Sequence, residues 1–225
     1  MSWFQLDSES VAARVRASGH PPEIPCLGDS VRRGIGGFTV VSVAGFAPWA
    51  VFGRWFYRNI GEMGLYSVCG FVFIGLAGLL MHRLILGPGS LSRFYKLFAL
   101  SFAAYSAAWI GGWMALRGHS GSIAGLLAGT AIMGWMLALA FDSGGKTIKV
   151  IAVLFLLNSL GYFIGGVVEG AGFRFPGTSL SKSTQVIIAK SLWGVCYGIG
   201  FGAGLGMAFH MCQAKTRVLL RTLTS

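Results

Sequence analysis

The chain has 225 residues, of which 54% are hydrophobic and only 11% are charged, whereas about a quarter of the residues in a soluble domain are charged. Its 18 Lys and Arg residues outnumber the 7 Asp and Glu residues, which gives a formal charge of +11. This composition excludes a soluble globular domain, a disordered chain and a secreted disulfide scaffold. It predicts an integral membrane protein.

The first predicted element is the N-terminal tail, residues 1–33, which precedes the first apolar run. It combines apolar and basic residues in a pattern that fits a short amphipathic helix on the membrane surface, ended by two prolines. An unstructured tail fits the same residues. The residues concerned are Trp3, Phe4, Leu6, Val11, Arg14, Val15, Arg16, Pro21 and Pro22.

Six windows of about 20 residues, the length that spans a bilayer as a helix, contain no Asp, Glu, Lys, Arg or His. They run over residues 34–53, 63–81, 97–116, 120–141, 150–168 and 191–209. The apolar runs are continuous rather than alternating, so they indicate helices and not barrel strands. The sequence therefore predicts an all-α protein with a six-helix transmembrane domain over residues 34–210 and a basic tail over residues 211–225.

The basic residues predict how this bundle is oriented, because short cytoplasmic loops carry an excess of Lys and Arg. Six spans place both tails and the second and fourth loops on one side. That side holds twelve basic residues: Arg14, Arg16, Arg32, Arg33, Arg83, Arg93, Lys96, Lys146, Lys149, Lys215, Arg217 and Arg221. The other side holds five: Arg54, Arg58, Arg117, Arg174 and Lys182. We therefore expect both termini to be cytoplasmic.

Small residues recur every four positions in two of the predicted spans. One stripe is Ala99, Ala103, Ala107 and Gly111, and the other is Gly194, Gly198, Gly202 and Gly206. Such stripes let two helix backbones approach closely, and helix packing is the first interpretation. The alternative is a lining that leaves room for a solute or a lipid.

The two stripes also give the halves of the chain a weak likeness, because a lysine precedes each of them. Lys96 lies three residues before the first stripe and Lys190 four residues before the second. Successive three-helix halves must have opposite topology, as in inverted-repeat transporters. A 3+3 inverted repeat is therefore a hypothesis, alongside chance similarity.

Four polar residues are candidates for contact with a pore or a substrate. Asn158 and Thr130 lie near the midpoints of their predicted spans, and either a hydrogen bond between helices or a contact with a solute at the midplane would satisfy them. Glu169 and Lys190 lie near the outer ends of their spans. They form either a surface ion pair, or separately solvated ends, or a charged vestibule.

Two loops carry further hypotheses. The tight turn at residues 87–90 is flanked by His82, Arg83, Arg93 and Lys96, which suit anionic lipid headgroups, although the orientation signal alone also explains them. The longest loop between spans contains Phe173 and Phe175. These rings either cover the outer mouth of the bundle or belong to a plain connector.

Chemical motifs do not favour an enzyme. The sequence shows no paired carboxylates and no known nucleophile or metal-binding motif, and it predicts neither a cofactor nor a metal. All seven acidic residues lie outside the charge-free windows, which argues against proton coupling through a buried carboxylate. The basic residues are spread over the loops of both sides, which argues against nucleic acid as a partner.

The function that these features favour is a small channel or a facilitator-type transporter of a small solute, in a bacterial-type plasma membrane. One alternative is a non-catalytic subunit or scaffold of a membrane complex. Another is a membrane enzyme that acts on a lipid or a quinone. The expected partners are the lipid bilayer, anionic lipids on the cytoplasmic side, and a second copy or another membrane protein.

Overall fold

A computed structural model of the chain describes residues 3–20, 23–172 and 180–222. Within these ranges the chain forms eight α-helices, joined by short turns that include 3₁₀ turns at His82–Leu84 and Gly144–Lys146. The helices are α1 (Ser8–Ser18), α2 (Leu27–Asn59), α3 (Gly61–Met81), α4 (Ser90–Leu116), α5 (Gly118–Ala140), α6 (Thr147–Gly172), α7 (Lys182–Cys212) and α8 (Ala214–Thr222).

The six helices α2 to α7 are long and apolar enough to cross a membrane. The predicted all-α fold with six membrane-crossing helices is therefore confirmed, and the protein is a multi-pass membrane protein in contact with the lipid bilayer. The cytoplasmic location of both termini and the inverted repeat stay predictions.

The helices extend beyond the charge-free windows. Helix α2 begins at Leu27, where the Cys26 thiol accepts the backbone N–H of Asp29 and the Asp29 carboxylate accepts the backbone N–H of Cys26. A helix of 33 residues is about 50 Å long and exceeds the roughly 30 Å hydrocarbon layer. Helix ends that carry charge therefore continue past the apolar segment that the windows detect.

Consecutive long helices pack side by side, and α7 returns to pack against α2, so the six form a closed ring. The predicted glycine stripe of α7 faces α2. A Cβ atom on Gly198 would lie 2.6 Å from the Cα of Thr39, and one on Gly202 would overlap the carbonyl oxygen of Gly34. Ser42 also donates a hydrogen bond to the carbonyl of Gly194 (2.7 Å). These glycines pack two backbones together rather than lining a space.

A second side of α7 packs against α6 in the same manner. A Cβ atom on Gly161 would lie 2.7 Å from the carbonyl oxygen of Cys196 and 3.0 Å from the Cα of Gly200. Helix α7 is thus held between two neighbours by glycines on two of its sides.

The small-residue stripe of α4 differs from that of α7 in its exposure. Ala99 is half-buried, but Ala103, Ala107 and Gly111 are exposed on the outside of the bundle. The reason is that α4 turns its phenylalanines inward, which buries far more apolar area than a stripe of methyl groups would. The close helix contact involves Gly112 instead, where a Cβ atom would lie 2.7 Å from Gly125 of α5.

The two short helices meet at the end of the bundle where α2 begins. Val11, Ala12 and Val15 of α1 are buried in one apolar cluster with Leu86 and with Leu220 of α8. A helix is therefore present at Ser8–Ser18, and its apolar side packs on protein. Its location on the membrane surface stays a prediction. The prolines predicted to end it, Pro21 and Pro22, lie outside the described residues.

Candidate functional site

A cavity of about 470 Å³ lies among α2, α3, α4, α6 and α7, in the half of the bundle away from the chain ends. Most of its walls are aromatic or aliphatic. The aromatic residues are Phe46, Trp49, Tyr57, Tyr66, Phe73, Phe102, Tyr105, Trp109, Trp113, Tyr162, Trp193 and Tyr197. We refer to it below as the aromatic cavity.

Polar and charged side chains lie at the mouth of the aromatic cavity, near the turns that join α2 to α3 and α4 to α5. Glu62, Arg117 and Glu169 line this end. The hydroxyl of Tyr66 donates to the carboxylate of Glu62 (2.7 Å). The mouth therefore carries charges of both signs, and the described residues show no ion pair within 4 Å among them.

Lys190 lies beside this mouth and contacts α2. Its ammonium donates to the carbonyl oxygen of Trp49 (3.3 Å) and lies 4.0 Å from the centre of the Trp49 ring, which is a cation–π arrangement. Glu169 and Lys190 thus both lie near the mouth of the aromatic cavity, and their position on the outer side of the membrane stays a prediction. Lys190 is bound to Trp49 and not to Glu169.

The inward end of the aromatic cavity is closed by phenylalanines. Phe73 and Phe102 line its deep part, and beyond them Phe38, Phe98 and Phe201 are fully buried. Phe38 contacts both other rings, with centroids 6.5 and 4.9 Å away. The inward end of the cavity is therefore closed, because the other half of the bundle is packed with rings.

Asn158 reaches this deep region from α6. Its side chain is fully buried, and its Nδ2 donates to the hydroxyl of Tyr105 (2.8 Å). The hydroxyls of Tyr105 and Tyr197 lie 3.1 Å apart, and both tyrosines line the cavity. Asn158 is not among the residues that line the cavity, and its Oδ1 has no hydrogen-bond partner among the described residues. Its hydrogen bond to Tyr105 links it to the cavity wall.

Thr130, the other polar residue predicted at the midplane, is not part of this arrangement. Its hydroxyl donates to the carbonyl oxygen of Leu126 in its own helix (2.7 Å), and the side chain is fully buried. A threonine whose hydroxyl is satisfied one helical turn back has no free group for a solute. The structure does not bring Thr130 and Asn158 together at one site.

Arg93 and Gln213 organise the turn at the opposite end of the bundle. Arg93 is 5% exposed and donates to the carbonyl oxygens of Leu86, Gly87 and Pro88, at 3.1, 3.1 and 2.7 Å. Gln213 accepts the backbone N–H of Leu86 (2.8 Å). Arg93, which the sequence places among the residues suited to lipid headgroups, is therefore occupied by backbone carbonyls.

The remaining basic candidates lie closer to the surface. His82 and Arg83 line a second, polar cavity together with Glu23 and Arg33, and Glu23 and Arg33 form an ion pair with each other. Lys96 is exposed. Contact with anionic lipids stays a prediction for these residues. Phe173 and Phe175, predicted to cover the outer mouth or to form a connector, lie outside the described residues.

The aromatic walls of the cavity were not predicted as a site. From the sequence alone, four tryptophans are interpreted as anchors at the membrane interface, because tryptophan is enriched at the level of the lipid headgroups. They are Trp49, Trp109, Trp113 and Trp193. A usable signal was present in Tyr105, Tyr162 and Tyr197, whose hydroxyls fall inside charge-free windows and need partners there.

The fold and site together define a helical multi-pass membrane protein with an aromatic cavity in one half. No family model, curated protein or solved structure matches the chain. The geometry of the aromatic cavity is therefore the basis for the function proposed next.

Proposed function

We propose that the protein is a facilitator-type transporter or channel for a small solute, and that the aromatic cavity is its outer binding site. One observation carries this proposal: the cavity is large enough for a small molecule, and its inward end is closed only by side chains. Side chains can rotate or shift without breaking the helices, so the inner closure is compatible with a second state in which the path opens inward.

The charges favour passive movement over coupling to protons. Glu62, Arg117 and Glu169 lie at the mouth, and the deep walls carry hydroxyl and aromatic groups. A membrane proton relay needs titratable groups along the path. The proposal therefore includes uniport, with both termini cytoplasmic and the mouth facing outward in a bacterial-type plasma membrane.

A transport assay with a matched pair of cavity variants tests the proposal. Gly70 lines the aromatic cavity and Gly75 is exposed on the same helix, and a Cβ atom on either would meet no atom within 4 Å. Gly70→Trp should fill the cavity, whereas Gly75→Trp should add a ring on the lipid side.

The purified proteins are reconstituted into liposomes, and the entry of a panel of small uncharged solutes is followed by light scattering. We expect wild type and Gly75→Trp to pass at least one solute faster than empty liposomes, and Gly70→Trp to pass none. Equal rates in Gly70→Trp and wild type would contradict the proposal, as would the absence of any protein-dependent flux.

A non-catalytic subunit of a membrane complex is the second candidate function, and the exposed stripe of α4 favours it. Ala103, Ala107 and Gly111 offer a smooth face on which a helix of another chain can lie closely. Disulfide cross-linking of an Ala107→Cys variant in membranes tests it. Cross-linked product to a second copy or another protein supports the assembly role, and its absence under oxidation counts against it.

A further inference from the structure

We propose that the aromatic cavity binds an uncharged, mostly apolar molecule through a carbonyl-type oxygen, which accepts a hydrogen bond from the Tyr105–Tyr197 pair. This inference deepens the proposed function and rests on it for the choice of cavity. It concerns what binds there, and it holds whether or not the bound molecule crosses the membrane.

The argument begins with the hydroxyl hydrogens of the pair. Tyr105 and Tyr197 have one hydroxyl hydrogen each, and their oxygens are hydrogen-bonded to each other at 3.1 Å. That bond uses one hydrogen, whichever residue donates it. Asn158 supplies its own hydrogen to the Tyr105 oxygen (2.8 Å) and takes none from the pair. One hydroxyl hydrogen therefore remains without an acceptor among the described residues.

The order of donors in this series of hydrogen bonds favours Tyr197 as the residue whose hydroxyl hydrogen stays free. A hydroxyl that accepts a hydrogen bond becomes a stronger donor. Tyr105 accepts from Asn158, so it is polarised to donate to Tyr197. The residue with the free hydroxyl hydrogen is then part of the cavity wall, since Tyr197 is 5% exposed and lines the cavity. Asn158 acts as a positioning residue for this donor.

The other buried tyrosine of the cavity shows the contrast. Ser122 donates its single hydrogen to the carbonyl oxygen of Gly118 (3.2 Å). Its oxygen, 3.1 Å from the Tyr162 hydroxyl, must therefore accept from Tyr162. At the mouth, Tyr66 donates to Glu62. Both of these hydroxyl hydrogens are used within the protein, whereas one hydroxyl hydrogen of the Tyr105–Tyr197 pair is not.

The surroundings define the rest of the ligand. Arg117 follows Tyr105 by twelve residues, which is about 18 Å along a helix, so the charged mouth is far from the deep donor. The intervening walls include Phe102, Trp109 and Trp193. A charged group at the deep end would be desolvated without a counter-ion. The bound end is therefore neutral, apolar in shape, and polar only through an acceptor oxygen.

Duroquinone and durene are the probes that test this inference, because they share one methylated ring and differ in the two carbonyl oxygens. Both are titrated into the purified full chain in lipid nanodiscs, with empty discs as the blank, and dissociation constants are expressed relative to probe concentration in the lipid. We expect wild type to bind duroquinone about tenfold more tightly than durene, as one hydrogen bond to an otherwise unpaired donor predicts.

Phenylalanine variants locate the donor without removing a ring. Tyr197→Phe leaves the Tyr105 hydrogen free, so we expect part of the preference to survive. The double variant Tyr105→Phe/Tyr197→Phe should reduce the ratio to about one. Tyr162→Phe is the matched control. It removes a hydroxyl from the same cavity, but that hydroxyl already donates its hydrogen to Ser122. Its ratio should equal that of wild type.

Nanodiscs of diester and diether phospholipid identify the source of the acceptor oxygen in the membrane. Only diester lipid has carbonyl oxygens that can compete for the donor. Tighter duroquinone binding in diether discs would show that a lipid carbonyl occupies the site, and equal binding would point to a free solute.

Equal affinity of wild type for duroquinone and durene would overturn the inference, as would failure of both to bind. This result needs no variant, so a misfolded variant cannot obscure it. Retention of the full preference in the folded double variant would also overturn it. Binding with the expected preference but without flux in liposomes would contradict transport alone. Flux without the preference would contradict the ligand class alone.

Discussion

Gly34 of α2 and Gly202 of α7 face each other so closely that a Cβ atom on either would overlap the carbonyl oxygen of the other. Glycine is required at both positions because no side chain fits between the two backbones. The contact joins the first and last membrane-crossing helices, so it closes the ring of six. In lipid, where apolar surfaces have no water to escape, such close packing supplies much of the attraction between helices.

Substituting Gly202 by valine should separate α2 from α7 and destabilise the protein by about 3 kcal/mol or more, since the overlap is with backbone that cannot rotate away. Gly111→Val is the matched control, because Gly111 is exposed and has open space around it. Thermal unfolding in detergent, followed by size-exclusion chromatography, measures both. Equal midpoints for the two variants would contradict the packing role of Gly202.

Arg93→Gln should loosen the turn at residues 85–89, because three backbone carbonyls lose a charged donor. We expect a loss of about 3 kcal/mol in the free energy of unfolding. Arg93→Lys should recover only part of it, since one ammonium cannot reproduce the planar guanidinium. Lys96→Gln, at an exposed position, should cost little. Hydrogen exchange of the turn is the measurement, and unchanged protection in Arg93→Gln would refute this role.

Asn158→Leu should weaken the binding of duroquinone several-fold by releasing Tyr105, whereas Thr130→Val should leave it unchanged. Thr130 bonds only within its own helix, and Asn158 positions the tyrosine pair. The two variants are compared by duroquinone titration and by thermal midpoint. Similar binding by both, with both folded, would remove Asn158 from the site.

Asp7 gives α1 a pH dependence. Burial acts to raise the pKa of Asp7, but hydrogen bonds to its carboxylate, chiefly from Ser10, act in the opposite direction, and the pKa of Asp7 lies below its usual value of 3.8. The carboxylate therefore stabilises α1 above about pH 3.8, and the contribution is lost as the pH falls through the lowered pKa.

Asp7→Ala should cost about 1 kcal/mol of helix stability and remove this dependence. Hydrogen exchange of residues 8–18 at pH 6 and pH 3, corrected for the intrinsic exchange rate, compares the two proteins. A dependence that persists in Asp7→Ala would assign it to another group.

Orientation can be tested with single cysteines in a background where all four native cysteines are replaced. Arg117 and Lys215 are both exposed and lie at opposite ends of the bundle. Arg117→Cys should react with a membrane-impermeant maleimide on intact cells. Lys215→Cys should react only after permeabilisation, as the excess of basic residues predicts. Reaction of both on intact cells would rule out the arrangement of six spans.

The spans were predictable because hydrocarbon imposes a simple rule: about 20 residues without charge. Close helix packing at Gly202 was also predictable, since small residues at this spacing commonly let two helices approach, but its partner helix α2 was not. The same spacing occurs at Ala103 and Ala107, which are exposed. A periodic stripe of small residues indicates that one face of a helix is smooth. It does not indicate whether another helix or lipid lies against that face. On α4 the face that carries Phe98 and Phe102 is buried in the bundle, and the small-residue face is therefore exposed.

The aromatic cavity could not be predicted because it depends on which residues of five helices meet. Trp49 and Trp193 are typical interface residues in the sequence, and only the ring closure between α2 and α7 brings them together, with centroids 6.1 Å apart. Asn158 was found because a buried amide needs a partner. That its partner would be Tyr105, 53 positions earlier in the chain, is a property of the fold.

The predicted orientation gives Arg93 a role at two different times. During insertion we expect its charge to favour the cytoplasmic side for the end of α4 that carries it. After folding, the same charge is enclosed by carbonyl dipoles and no longer faces lipid. The same side chain thus affects first the direction of membrane insertion and then the stability of the folded turn. An Arg93→Lys protein should insert in the correct direction and still fail to finish its inner turn.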